Sequence, residues 1–115
     1  MEEKRRYKRY SAELEVGYEV DNTVGIECRT NTSNISLGGV AMPVNKAVRE
    51  RKTISLTLKM PGGAGEVKAL GKIVWKKPIN RNLPDEEDAG VKFLSMYENS
   101  KNVLTEYLQG ISATT

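Results

Sequence analysis

Apolar and polar residues alternate along most of the chain, and this period of two is typical of β-strands that bury one face. The clearest case runs from Thr53 to Met60, where every second residue is apolar. Similar strand patterns occur in residues 12–20, 26–37, 40–44, 66–77 and 89–95. Glycine, proline and asparagine separate several of these segments, as turns require. The sequence therefore predicts six antiparallel strands, and Gly71 inside a long strand favours the bend that closing a barrel needs.

The period changes near the end of the chain. Apolar residues recur there at helical spacing, at Val103, Leu104, Tyr107 and Leu108. Asn99 or Ser100 is suited to cap the start of this helix, and Gly110 to stop it. We expect a helix from about 99 to 109 whose apolar stripe seals one end of the sheet. The predicted fold class is all-β: a six-stranded antiparallel β-barrel with a C-terminal α-helix.

Composition excludes several functional classes. The 115 residues, 38% of them hydrophobic, suffice for one modest core, and no apolar run approaches the ~20 residues of a membrane span. The single cysteine, Cys28, excludes an internal disulfide and indicates a cytoplasmic location. The absence of histidine removes the commonest general base and metal ligand. We therefore expect no enzymatic activity, no metal site and no cofactor.

The end of a strand is predicted in the stretch Asn34-Ile35-Ser36-Leu37-Gly38-Gly39. Alternation places Ile35 and Leu37 towards the core, with Asn34 and Ser36 together on the other face. The glycine pair ends the strand and lets another group approach the backbone closely. A polar shelf beside bare backbone can bind a ligand, although an ordinary hairpin end with solvent-facing polar residues has the same pattern.

The first ten residues form a basic arm. They contain five of the 18 cations and two of the 15 carboxylates, so the entire net charge of +3 lies in this arm. A charge run of this kind is often only a solvated tail. Here Tyr7 and Tyr10 interrupt it, and it leads without a linker into a strand. We expect residues 1–10 to be a flexible arm tethered close to the barrel formed by residues 11–110.

Together these two segments resemble the PilZ domain family. The family's R-x-x-x-R motif reads Arg5-Arg6-Tyr7-Lys8-Arg9, and its D/N-x-S-x-x-G motif reads Asn34 to Gly39. The later runs Gly71 to Trp75 and Gly90 to Phe93 are similar to the family's last two strands. No motif position departs from the family pattern. The resemblance covers nearly the whole chain and implies a single-domain PilZ protein.

The resemblance implies a ligand, the bacterial second messenger cyclic di-GMP. By motif match, the ligand-binding residues would be Arg5, Arg9, Asn34, Ser36 and Gly39, with Arg6, Gly38 and Trp75 as secondary candidates. Arginine suits this role because its guanidinium can bind the edge of guanine, clamp a phosphate or stack on a purine. Trp75 could be a stacking wall or simply a core residue, because strict alternation places it on the same face as Ile73.

The implied function is that of a cyclic di-GMP receptor and adaptor. Binding would order the arm and change contact with a downstream protein, with motility or polysaccharide production as typical outputs of the family. Three alternatives remain open. The chain could be a protein-docking module without nucleotide binding, a basic nucleic-acid-binding domain or a membrane-surface protein. A balanced charge outside the arm and the lack of a row of strand aromatics disfavour nucleic acid, and no apolar face accompanies the cations for a membrane.

Overall fold

The structure is a computed structural model that describes residues 7–20, 27–79 and 85–113, with only the backbone of residues 112 and 113. Within these residues, eight strands form one antiparallel sheet in the order β1-β4-β5-β8-β7-β6-β2-β3. The strands are β1 (Tyr10–Ser11), β2 (Glu15–Val20), β3 (Cys28–Asn31), β4 (Asn34–Ile35), β5 (Gly39–Asn45), β6 (Thr53–Lys59), β7 (Glu66–Pro78) and β8 (Glu86–Met96). A helix, α1 (Glu98–Ala113), follows β8.

The predicted fold class is confirmed, but the predicted number of six strands differs from the eight observed. Two predicted strands are each interrupted once, at a bulge around Glu13. The Thr32 hydroxyl donates to the Ala12 carbonyl over 2.6 Å and accepts from the Leu14 N–H over 2.9 Å. Glu13 is the extra residue between these two positions, and it points to solvent. Such a bulge bends both strands and breaks each into two short ladders.

This bend closes the sheet. The pair β1–β4 lies at one edge and the pair β2–β3 at the other, although β1 continues into β2 and β3 into β4. Backbone bonds from Thr32 N–H to the Leu14 carbonyl and from Ala12 N–H to the Ser33 carbonyl connect the two edges. Inward-facing aliphatic side chains fill the interior. The largest of those that are fully buried are Ile35, Met42, Val44, Ile54, Leu56, Leu58, Val67, Ile73 and Leu104.

Two further bulges lie on the long β7–β8 hairpin. Ile73 pairs with Val91 and Trp75 pairs with Gly90, which leaves Val74 as an extra residue on β7. Likewise, Leu94 is an extra residue on β8 between the pairs Gly71–Phe93 and Leu70–Ser95. A bulge residue interrupts the alternation of faces. Trp75 therefore leaves the buried face of Ile73, and the predicted shared face is wrong at this one position.

Helix α1 starts directly after the connecting residue Tyr97 and is longer than predicted. It runs through Gly110, so the predicted stop is wrong. The Ser100 hydroxyl does not cap the helix but accepts from the Lys68 N–H over 3.0 Å, which ties the first turn to β7. Leu104 and Leu108 are buried, and the apolar stripe covers the barrel as expected. In the described part of the chain, no helix has the length and hydropathy that crossing a membrane requires.

Candidate ligand-binding site

The turn after β4 is held together by the Ser36 side chain. Its hydroxyl oxygen accepts hydrogen bonds from the backbone N–H groups of Gly38 and Gly39, at 3.0 and 3.2 Å. The Gly38 carbonyl in turn accepts from the Phe93 N–H over 2.9 Å. Ser36 is buried, whereas Leu37 at the turn is 38% exposed. The predicted core position of Leu37 is therefore wrong, because the strand ends at Ile35 and the turn reverses the facing of the next residues.

Both glycines of the turn are required by close approach and not by backbone conformation, since neither has a positive φ. A β-carbon on Gly38 would lie 2.8 Å from Cδ2 of the Tyr7 ring. A β-carbon on Gly39 would collide with the backbone carbonyl of Val91 on the neighbouring strand. The turn thus packs under the arm on one side and against β8 on the other.

A cleft of about 230 Å³ lies beside this turn. Five of the predicted candidates line it: Arg9, Ser36, Gly38, Gly39 and Trp75. Asn34 does not line the cleft, but it lies in the cross-strand row Asn34–Ala41–Gly90–Trp75 that borders it. Arg5 and Arg6 lie outside the described residues. The structure therefore brings together the strand-end motif, the second motif arginine and the tryptophan.

Trp75 forms one wall of the cleft. Because Gly90 opposite it has no side chain, the indole lies over the β8 backbone, and a β-carbon on Gly90 would collide with the ring. The ammonium nitrogen of Lys77 lies 5.6 Å from the centre of the ring, within the range of a cation–π contact. Trp75 is half-buried, which leaves part of the ring accessible from the cleft.

The cleft is cationic. Arg9 and Lys92 line it, and Lys72 lies directly opposite Lys92 on the β7–β8 ladder. Like charges in directly opposed positions repel each other. Within residues 7–20, 27–79 and 85–113, no carboxylate forms an ion pair with any of these three side chains. An anion in the cleft would be attracted by all three.

Sequence reasoning missed five residues of the cleft. Tyr7 lies between the motif arginines, and the other four come from the two late strands: Val74, Gly90, Val91 and Lys92. Lys92 follows Gly90-Val91 in a run that the family resemblance already singled out, but nothing in its local pattern distinguishes it from other strand lysines. As for metals, no cluster of cysteine, aspartate and glutamate in the described ranges has the arrangement of a metal site.

The fold and the cleft define a class: a small β-barrel domain with a cationic, aromatic-walled cleft between its N-terminal segment and the end of an early strand. The chain belongs to the PilZ domain family, whose model matches residues 3–110. No curated protein sequence matches the chain.

Solved structures show the same fold. The Bacillus subtilis inhibitor of motility, MotI/DgrA, is 17% identical with a TM-score of 0.76, and the match covers 98% of this chain and 53% of that one. The PilZ domain of YcgR from Escherichia coli, solved with c-di-GMP, is 14% identical with a TM-score of 0.71, covering 97% and 94%. The K. pneumonia MrkH–c-di-GMP complex is 14% identical with a TM-score of 0.73, covering 96% and 52%. The chain thus spans about half the length of MotI/DgrA and MrkH.

Proposed function

We propose that this chain is a receptor for cyclic di-GMP and binds it in the cleft beside the Ser36–Gly39 turn. The observation that carries the proposal is the convergence of Arg9, the glycine turn and the half-buried ring of Trp75 around one opening. Family membership supports the ligand, as do the YcgR and MrkH structures that contain it. The ligand has two phosphates and two guanines, so its recognition calls for cations, flat surfaces and hydrogen-bond groups.

The two motif arginines are the main ligand contacts in this proposal. A guanidinium donates two parallel hydrogen bonds to a phosphate or to the O6/N7 edge of guanine, and it also stacks on purines. Arg9 lies at the cleft in the structure, and Arg5 is its partner by motif. Arg6 and Lys8 add long-range attraction, which depends on salt.

Ser36 acts through the turn. Its hydroxyl oxygen is engaged by the N–H groups of Gly38 and Gly39, so its part is to hold this backbone in place. Gly38 and Gly39 line the cleft, so their backbone lies next to the bound ligand in this proposal. Asn34 on β4 lies in the same cross-strand row as Gly90 and Trp75, with β5 between it and Gly90, and it offers an amide to the ligand's far end.

Trp75 and Lys92 complete the site. The exposed part of the indole stacks on a guanine, an interaction worth roughly 1–3 kcal/mol per base in other nucleotide-binding proteins. Lys92 on β8 pairs with Gly39 of β5, and its ammonium attracts a phosphate at the turn. No bond is made or broken in this mechanism. Binding changes the surface around the arm, and the chain acts as an adaptor towards a downstream protein.

Isothermal calorimetry with the purified chain tests the proposal, with GTP and a short oligonucleotide as control ligands. We expect saturable binding of cyclic di-GMP alone. Arg5→Ala and Arg9→Ala should each weaken it by about 1.5–3 kcal/mol, the value of a charge-assisted contact. Arg29→Ala is the matched control, because Arg29 lies on β3 with an ion pair to Glu27 and lines a different cleft.

Other results would contradict the proposal in distinct ways. Absence of binding at high micromolar cyclic di-GMP would favour the docking module without nucleotide. Equal losses for Arg5→Ala, Arg9→Ala and Lys8→Ala would mean that net charge, and not the motif, explains affinity. Tighter binding of the oligonucleotide would favour the nucleic-acid-binding alternative.

A further inference from the structure

The exposed apolar side chains of this domain are concentrated on one face. Six large hydrophobic residues are exposed in the described part of the chain, and two of them, Tyr7 and Val74, line the ligand cleft. All of them except Val74 line two adjoining grooves of about 430 and 460 Å³ that share Ser95 and Met96. We call this surface the apolar face; its members are Tyr7, Leu37, Leu70, Leu94 and Tyr97.

The bulge on β8 creates the centre of this face. Leu94 is the extra residue of the bulge and is 48% exposed. At this bulge an aliphatic side chain stays exposed to solvent and is not buried in the core. Bulges frequently redirect side chains at functional sites. Clustering of exposed apolar residues within one surface, in contrast to single scattered ones, indicates an interaction site.

In the described part of the chain, the charged side chains that line the two grooves are all positive. Lys101 lines the groove between β8 and α1, and Lys68 lines the groove over β7. Among the described residues, no carboxylate lines either groove. A partner with negative charge at its edges would therefore be attracted and oriented by these two lysines.

The backbone beside the face is also open. Pairing of β5 with β8 stops at Gly39 and Lys92, and the Phe93 N–H reaches the Gly38 carbonyl as the last bond on that side. Within the described ranges, Ser95 and Met96 pair only with β7, and Leu94 is the extra residue of the bulge. An extended segment can lie along such an edge, with alternate side chains directed to the groove.

We propose that the apolar face docks an extended, acidic segment of a partner protein, with aliphatic residues at alternate positions against Leu94 and Tyr97 and carboxylates towards Lys68 and Lys101. Among the five members of this surface, Tyr7 alone also lines the ligand cleft, and the inference does not rest on the proposed function.

A synthetic peptide tests this proposal without nucleotide. The probe is a fluorescent twelve-residue peptide in which leucine alternates with glutamate, and its match carries lysine in place of glutamate. We expect the glutamate peptide to bind at least about ten-fold more tightly in anisotropy titrations, with the largest amide shift changes at Leu94 to Tyr97. Leu94→Asp and the double variant Lys68→Glu/Lys101→Glu should each weaken it about five-fold or more. Lys59→Glu, an exposed lysine of another cleft, should not.

Three results would overturn the proposal. The first is equal affinity for the two peptides, and the second is binding that neither Leu94→Asp nor the lysine double variant weakens. The third is a dimer in sedimentation experiments that Leu94→Asp dissociates, since a second copy of the chain would then cover the face. The lysine variants change only exposed side chains, so they remain informative if Leu94→Asp were to fold poorly.

Discussion

Each of the two bulges of the β7–β8 hairpin adds one residue to a strand, Val74 to β7 and Leu94 to β8, but their surroundings differ. At Val74 the next residue, Trp75, lies over Gly90, so a large ring covers a position without a side chain. At Leu94 the next residue is Ser95, a small side chain opposite the exposed Leu70. The first bulge yields a walled cleft with an aromatic surface, and the second yields an open apolar face.

The difference shows how one backbone device produces two kinds of surface. Each bulge adds one residue and exposes an aliphatic side chain to the same extent, 48% for both Val74 and Leu94. The side chains across the ladder then decide the outcome. A glycine partner allows the tryptophan to pack closely, as a ligand wall requires. A leucine partner keeps the surface broad and apolar, which suits a protein segment better than a nucleotide.

The largest effect should come from filling the space under the indole. Gly90→Val would force Trp75 out of its position, since even a β-carbon collides with the ring. We expect the free energy of unfolding to fall by about 1–3 kcal/mol, the usual cost of overpacking. Loss of the stacking wall should also weaken cyclic di-GMP binding by roughly 1–3 kcal/mol.

Ser95→Val is the matched control at the second bulge, measured by urea unfolding and calorimetry. Because Ser95 is exposed, stability should stay within about 0.5 kcal/mol and nucleotide affinity should not change. If Ser95→Val were as damaging as Gly90→Val, the contrast between a packed and an open bulge would be wrong.

A smaller effect concerns the barrel interior that supports both bulges. Burial raises the pKa of Tyr18 from 10.0 to about 12, and the Asn45 N–H, which donates to its hydroxyl oxygen over 3.0 Å, partly opposes this rise. The folded state therefore favours the neutral phenol, and this stabilisation is complete below pH 10 and is lost as the pH rises from 10 to 12. At pH 11, ionisation of Tyr18 should lower the free energy of unfolding by ~1.4 kcal/mol.

Urea unfolding of the wild type and of Tyr18→Phe, at matched pH values on both sides of 10, isolates this contribution from that of the lysines. The variant should lack this part of the decline. A decline of the same steepness in Tyr18→Phe would assign the alkaline loss of stability to other groups. When the wild-type barrel unfolds at alkaline pH, the ligand cleft and the apolar face should be lost together with it.

The smallest effect should come from single lysines beside the two bulges. Lys92→Gln should weaken cyclic di-GMP binding a few-fold at low salt, because its attraction is screened as ionic strength rises. It should also stabilise the free domain by about 0.2–1 kcal/mol, because it removes a like-charge pair with Lys72. Lys101→Gln, beside Leu94, should leave nucleotide affinity unchanged. Equal effects of the two substitutions would show that the cleft has no local preference for Lys92.

The sequence by itself determined the fold class. Apolar and polar residues alternate along residues 53–60 and the other predicted strands, and this pattern shows which face of each strand is buried. It also identified the family, because the R-x-x-x-R and N-x-S-x-x-G motifs lie in the right order. The placement of Arg9, Ser36, Gly38, Gly39 and Trp75 around one cleft followed the candidates chosen from these motifs, whereas Arg5 and Arg6 lie outside the described residues.

Only the tertiary structure decided how residues face at the bulges and turns. Val74 and Leu94 are as apolar as their inward neighbours, so nothing local shows that each is an extra residue on its strand. The register comes from pairing with the opposite strand, and one inserted residue moves Trp75 from the predicted core face to the cleft. The same reason accounts for eight strands where six were predicted, because Thr32 bonds both Ala12 and Leu14 around Glu13. Alternation records burial along one strand, while hydrogen bonding between strands sets where that alternation is interrupted.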